Sequence, residues 1–157
     1  CSSCQTIFLD TARMEDLHAF CDKFLPVLER AVRRHAPTSL GGRAETTLRR
    51  YCATLAQILD SAPEAGMFRG DGCSLTACED SALALSGLAG NCLVKRLPRE
   101  QIFSLRRQKG YLQTAGLLCT PERREMLTQL LARCGVTRIT RAGNMSAMFS
   151  GEAHDGD

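Results

Sequence analysis

Apolar residues recur at three- and four-residue spacing from Met14 to Arg34, where Leu17, Phe20, Cys21, Phe24, Leu25, Leu28 and Val32 make one stripe. That period is the mark of an amphipathic helix packed on something. Ahead of it, Gln5 to Leu9 is short, apolar and β-branched enough for a buried strand, and Asp10 and Thr11 supply turn and cap chemistry. Pro37, Gly41 and Gly42 then break the pattern. A second amphipathic helix follows through Leu48, Tyr51, Cys52, Leu55, Ile58 and Leu59, with Pro63 and Gly66 beyond its end. "GMFRGDGCSLTACED" reads as irregular, a projecting loop that carries Cys73 and Cys78 around a Gly70-Asp71-Gly72 turn.

After that loop the alternation sharpens. Asn91 to Leu97 reads as a strand, Pro98 starts a short helix, and Tyr111 to Cys119 reads as another buried strand. Thr120 caps a helix with Pro121 in its first position, running through Met126, Leu127, Leu130 and Leu131 to Cys134 and stopping at Gly135. "VTRIT" follows as a strand. Strands alternating with helices predict an α/β fold: a mostly parallel sheet of Gln5–Leu9, Asn91–Leu97, Tyr111–Leu118 and Val136–Thr140, flanked by helices on both faces. The tail from Ala142 lacks apolar periodicity and stops on Asp157, while the chain opens at Cys1 directly before a strand and without a Met. Residues 1–157 are therefore expected to be a single-domain fragment.

Composition narrows the classes. With 157 residues and 44% hydrophobic side chains, the chain is long enough to bury a core of its own. No run of about 18 apolar residues occurs to span a bilayer, and no basic segment followed by an apolar one resembles a secretory signal. A cytoplasmic location is expected. The net charge of +3 is weak, and clusters such as Arg33-Arg34-His35 lack interleaved aromatics, so no nucleic-acid partner is expected. Nine cysteines are many, but an odd number with Cys21 and Cys52 on apolar helix faces argues for reduced thiols rather than a disulfide framework.

The chemistry concentrates in "CSSCQTIFLD". Cys1 and Cys4 are spaced as CxxC, a spacing shared by zinc sites, thiol–disulfide exchange and chance. A cysteine immediately before a buried strand is placed at the edge of a cleft. A thiolate there suits acyl transfer, because a thioester forms readily and is easily attacked. Cys1 is thus the candidate nucleophile. A second reading joins Cys1, Cys4, Cys73 and Cys78 in a zinc-stabilised or thiol-redox interaction module, which stoichiometric zinc in the purified protein would reveal. A third treats the thiols as core packing in a scaffold without catalysis. Gln113 and Thr114 are expected to satisfy hydrogen bonds within their strand. His18 and His35 are expected on a helix facing solvent. His154 with Asp155 makes either a turn or an acid–base pair.

"CSSCQTIFLD" followed by a long amphipathic helix resembles the catalytic-cysteine segment of the aldehyde dehydrogenase superfamily. It is more closely similar to the fatty acyl-CoA reductases of the bacterial bioluminescence (LuxC-like) type, which carry a Cys-Ser-Ser-Pro-Gln-like motif there. "YLQTAGLLCTPERREMLTQLLARCGVTRITRAGNMS" and the "HDG" of His154 to Gly156 resemble the same family, whereas residues 38–91 match poorly. Cys4 stands where that family usually has Pro. The resemblance implies a catalytic-domain part of an oxidoreductase with Cys1 as nucleophile. It implies NADPH as cofactor, a fatty acyl-CoA or acyl-carrier substrate, and an aldehyde product by way of a cysteine thioester. A partner that transfers the acyl group and a homo-oligomeric state are compatible with it. The cofactor-binding half would lie upstream, because no G-x-G-x-x-G turn occurs here. The fragment alone is expected to be inactive, and no metal is expected.

Overall fold

The computed structural model describes residues 4–35, 39–60, 65–88 and 90–147. The chain divides into two compact units, one ending at Pro98 and the other beginning at Arg99. In the first unit the elements are β1 (Thr6–Leu9), α1 (Met14–Arg34), α2 (Leu40–Asp60), β2 (Gly66–Gly70), β3 (Cys73–Cys78) and β4 (Asn91–Arg96). They build a sheet of order β1-β4-β3-β2 in which β1, β4 and β3 run parallel and β2 is an antiparallel edge. The α/β class with a mostly parallel sheet is thus as the alternation predicts.

Register decides what each face of this sheet carries. Leu75 pairs with Cys92 and Ala77 with Val94, so these four side chains share one face. The α1 stripe covers them, and Met14, Leu17 and Cys21 are buried there with Leu75, Ala77, Cys92 and Val94. Each fully buried aliphatic side chain contributes roughly 2 kcal/mol of transfer free energy. Pro26 sits inside α1, where it forgoes one backbone hydrogen bond, yet the helix runs through it to Arg34. The C-terminal half of α1 reaches the β2–β3 turn, where Glu29 Oε1 accepts the Asp71 N–H at 2.7 Å and Arg33 pairs with Asp71 at 3.5 Å. Thr76 pairs with Leu93 and Cys78 with Lys95, and this opposite face looks toward α2.

The second unit holds a 3-10 helical segment at Arg99–Tyr111, β5 (Thr114–Leu117), α3 (Pro121–Cys134) and β6 (Arg138–Arg141). Strands β5 and β6 form a parallel pair. Helix α3 begins at Pro121 after Thr120 and ends at Gly135, whose φ of +99° returns its N–H to the Leu131 and Ala132 carbonyls. Cys134 is buried, and its thiol donates to the Ile102 carbonyl at 3.3 Å.

Two expectations are corrected. The four predicted strands do not share one sheet: Gln5–Leu9 and Asn91–Leu97 lie in the first, Tyr111–Leu118 and Val136–Thr140 in the second. Periodicity identifies a strand but not its partner. Here β4 is hydrogen-bonded on both edges, by β1 and β3, and the remaining edge of β3 is taken by β2. The expected loop at 66–78 is instead the β2–β3 hairpin, with Phe68 opposite Leu75 and Met67 opposite Thr76. Asp71-Gly72 closes it, and Gly72 takes a φ of +79° that the tight turn requires.

Candidate active site

Gln5 and Thr6 anchor the base of β1. Cys1, the predicted nucleophile, lies outside the described residues, and so do His154 and Asp155. From Cys4 onward the anchoring is explicit. The Gln5 carbonyl accepts the Leu93 N–H at 3.0 Å, which carries the β1–β4 ladder one residue beyond its first pair. The Gln5 side-chain Oε1 accepts both the N–H and the hydroxyl of Ser86, each at 3.0 Å. Thr6 donates its hydroxyl to the Ala84 carbonyl at 2.8 Å. Gln5 and Thr6 thereby fasten the segment that connects β3 to β4 against the base of β1. Parallel strands usually need a helical crossover. Here an irregular stretch does the work, tied by side chains.

Beside that anchor stands a pair of thiols. Cys4 is exposed and Cys92 is buried. The Cys92 thiol reaches the Cys4 carbonyl oxygen at 3.4 Å and also hydrogen-bonds the Cys4 sulfur. That donated hydrogen bond stabilises the Cys4 thiolate and lowers its pKa to about 7, against the opposing effect of partial burial. The same bond, together with burial, pushes the Cys92 thiol up. Neither sequence spacing nor composition pointed to Cys92, because its partner is brought to it only by the β1–β4 register.

A groove of about 1150 Å³ opens between α2 and the second face of the sheet. Leu48 and Leu59 of α2, Leu85 of the β3–β4 connection and Leu93 of β4 give it apolar walls. Lys95 lies on its floor and is only 3% exposed. Its ammonium donates to Asp80 Oδ1 at 2.6 Å, and the Ala82 N–H binds the same oxygen at 2.8 Å. Burial raises the Asp80 pKa, but the Lys95 and Ala82 hydrogen bonds outweigh it and hold the carboxyl below its ordinary range. Cys52, expected on a packed helix face, is exposed and lines this groove.

The structure does not bring the proposed zinc quartet together. Cys73 and Cys78 are five residues apart on β3 and point to opposite faces, Cys73 toward α1 and Cys78 into the groove. Burial raises the Cys73 pKa, as it does more strongly for Cys21, to about 12. Among the described residues no cluster of three or more metal-ligating side chains occurs. Gln113 stands just before β5, and its carbonyl accepts the Arg138 N–H at 2.9 Å and the Thr137 hydroxyl at 2.9 Å. Thr114 opens the strand opposite Arg138. His35 is exposed, but His18 is half-buried, its ring 5.6 Å from that of Phe68.

The implied NADPH needs a cradle of backbone N–H groups at a strand-to-helix turn. The β1–α1 turn, residues 10–13, contains no glycine. Its Thr11 hydroxyl donates to the Asp16 carboxylate and accepts the Arg13 N–H at 3.1 Å. The Thr11 and Arg13 N–H groups of that turn are taken up within the chain and the Asp16 carboxylate stands beside them, so these residues do not fit the pyrophosphate.

A mostly parallel α/β sheet flanked by helices is the architecture of a dehydrogenase-like fragment. A family model for acyl-CoA reductase (LuxC) matches residues 1–157, the whole of the chain. The chain belongs to that family, whose members reduce fatty acyl-CoA to aldehyde. No curated protein matches it. No helix among the described residues is long and apolar enough to cross a membrane.

Proposed function

We propose that residues 1–157 are the thiol-bearing catalytic portion of an acyl-CoA reductase in which Cys1 accepts the acyl group. The Cys1 thiolate attacks the thioester carbonyl carbon, and the tetrahedral intermediate expels CoA as its thiolate, which takes a proton. The product of this step is an acyl thioester on Cys1. The developing oxyanion needs fixed donors, and the backbone N–H groups near Cys1 are the nearest candidates. Conversion of that thioester to aldehyde consumes two electrons and two protons, one of them carried with the electron pair as hydride and the other taken up by the departing sulfur, and restores the Cys1 thiol. NADPH is the reductant in this reading, and its binding is assigned to no residue described here.

The observation that carries the reading is the family match over the whole chain, which includes the "CSSCQ" start. The groove supports it, because its leucine walls suit a hydrocarbon chain and the segment lined with Leu85 is fastened to Gln5 and Thr6. The acyl group arrives from CoA or from an acyl-carrying partner protein. A reducing compartment such as the cytoplasm suits a chain whose described cysteines are all thiols. The decisive experiment incubates the full-length protein with radiolabelled acyl-CoA without reductant. Cys1→Ala should abolish protein-bound label while Cys4→Ala retains it. Loss of label in Cys4→Ala alone would move the nucleophile three residues along.

A further inference from the structure

We infer that Cys4 and Cys92 form a peroxide-sensitive dithiol that closes reversibly to a disulfide. This goes beyond the acyl-transfer reading and does not rest on it. The β1–β4 register pairs Thr6 with Leu93, and the Leu93 N–H on the Gln5 carbonyl extends the ladder toward Cys4. Cys4 and Cys92 are then diagonal neighbours on adjacent segments of the chain. Strand spacing and rise put their Cα atoms about 6 Å apart, within the roughly 4.4 to 6.8 Å that a disulfide spans. The Cys92 thiol is already 3.4 Å from the Cys4 carbonyl oxygen. Cys4 precedes the strand proper, so its side chain is not confined to one face by the pleat.

The two thiols have complementary roles. Cys4 is exposed to solvent and to a small oxidant, whereas Cys92 is only 6% exposed and waits behind it. The hydrogen bond from Cys92 favours the thiolate on Cys4, the form that oxidants attack. The Cys4 thiolate attacks hydrogen peroxide; the O–O bond breaks, and the departing hydroxide takes a proton to become water. Cys4 is now a sulfenic acid. Cys92 loses its proton and attacks the Cys4 sulfur, the S–OH bond breaks, and the hydroxide takes that proton as a second water. Two thiols have been oxidised by two electrons and one peroxide reduced. A dithiol reductant reverses the bond by thiol exchange. Closure pins the residues ahead of β1 to the central strand β4.

The test treats the full-length protein with hydrogen peroxide in the absence of acyl-CoA. Remaining thiols are blocked with N-ethylmaleimide, and the protein is digested with trypsin without reduction for mass spectrometry. The expected product joins the tryptic peptide that ends at Arg13 to the peptide Gly70–Lys95 through Cys4 and Cys92, with two blockable thiols lost and both recovered by dithiothreitol. Cys1→Ser should leave the linkage intact, and Cys4→Ser should abolish it. Cys92→Ser should abolish it too, and should Cys92→Ser not fold, the exposed Cys4 position carries the comparison alone. A bridge between Cys1 and Cys4 overturns the inference. So does Cys4 recovered as sulfinic acid with Cys92 still open to blocking. No acyl group enters the assay, so its failure is separate from failure of the labelling experiment.

Discussion

At the scale of single residues, a hydrogen bond donated by one thiol to another sets how a surface cysteine titrates. Alkylation of Cys4 by iodoacetamide should accelerate as pH rises through about 7, since only the thiolate reacts. Replacing Cys92 by Ser leaves a hydroxyl donor, but Cys92→Ala removes the donor and should move the midpoint up toward the ordinary 9.0. Rate constants from mass spectrometry of the tryptic peptide that ends at Arg13 would measure it, and an unmoved midpoint would refute the assignment. Lys95 presents the converse situation, a buried cation with a half-exposed partner. Asp80→Ala strands the ammonium under the groove and should destabilise the fold by about 2 kcal/mol, below the usual cost for a wholly buried pair because Asp80 is solvated. Adding Lys95→Met should recover most of that loss in urea unfolding.

At the scale of elements, α1 carries the core. Leu17 is fully buried against the sheet, and Leu17→Ala should cost about 3 kcal/mol in chemical denaturation with an unchanged denaturant slope. Helix α1 was legible because seven apolar residues from Leu17 to Val32 keep to one stripe, and α3 because Pro121 and Gly135 mark both ends. The β2–β3 hairpin was hidden by its glycines and cysteines, which read as loop residues although Asp71-Gly72 is a strong hairpin turn. Strand partners were not legible at all, since alternation speaks of a face and never of a neighbour. The candidate site divides in the same way. The importance of "CSSCQ" stands in a contiguous motif, and the bonds of Gln5 to Ser86 and Leu93 give its fifth position a physical task. Cys92 and Lys95 stayed hidden because each acts through a partner met only in the folded sheet. A lysine directly after the apolar run Cys92-Leu93-Val94 and an acidic Glu79-Asp80 upstream were the available signal for the second.

At the scale of the whole molecule, the order of strands in space runs against their order in time. Thr6 pairs with Leu93, so β1 leaves the ribosome first and waits for most of the first unit before its partner exists. The β2–β3 hairpin needs only its own turn, whereas closing the β3–β4 connection and recruiting β1 are contacts of high sequence separation, whose loop entropy slows them. Pulse-labelled hydrogen exchange during refolding should find the amides of β2 and β3 protected before that of Leu93, whose acceptor is the Gln5 carbonyl. Simultaneous protection of all of them would argue for a single concerted step. A nascent chain with β1 unpaired exposes an apolar strand, and its Cys4 thiol, still without the Cys92 hydrogen bond, keeps the ordinary thiol range. Until β4 emerges, that stretch is open to mispairing, and the activated form of the Cys4 thiol arises only as β4 docks and the bonds from Gln5 and Thr6 close around it.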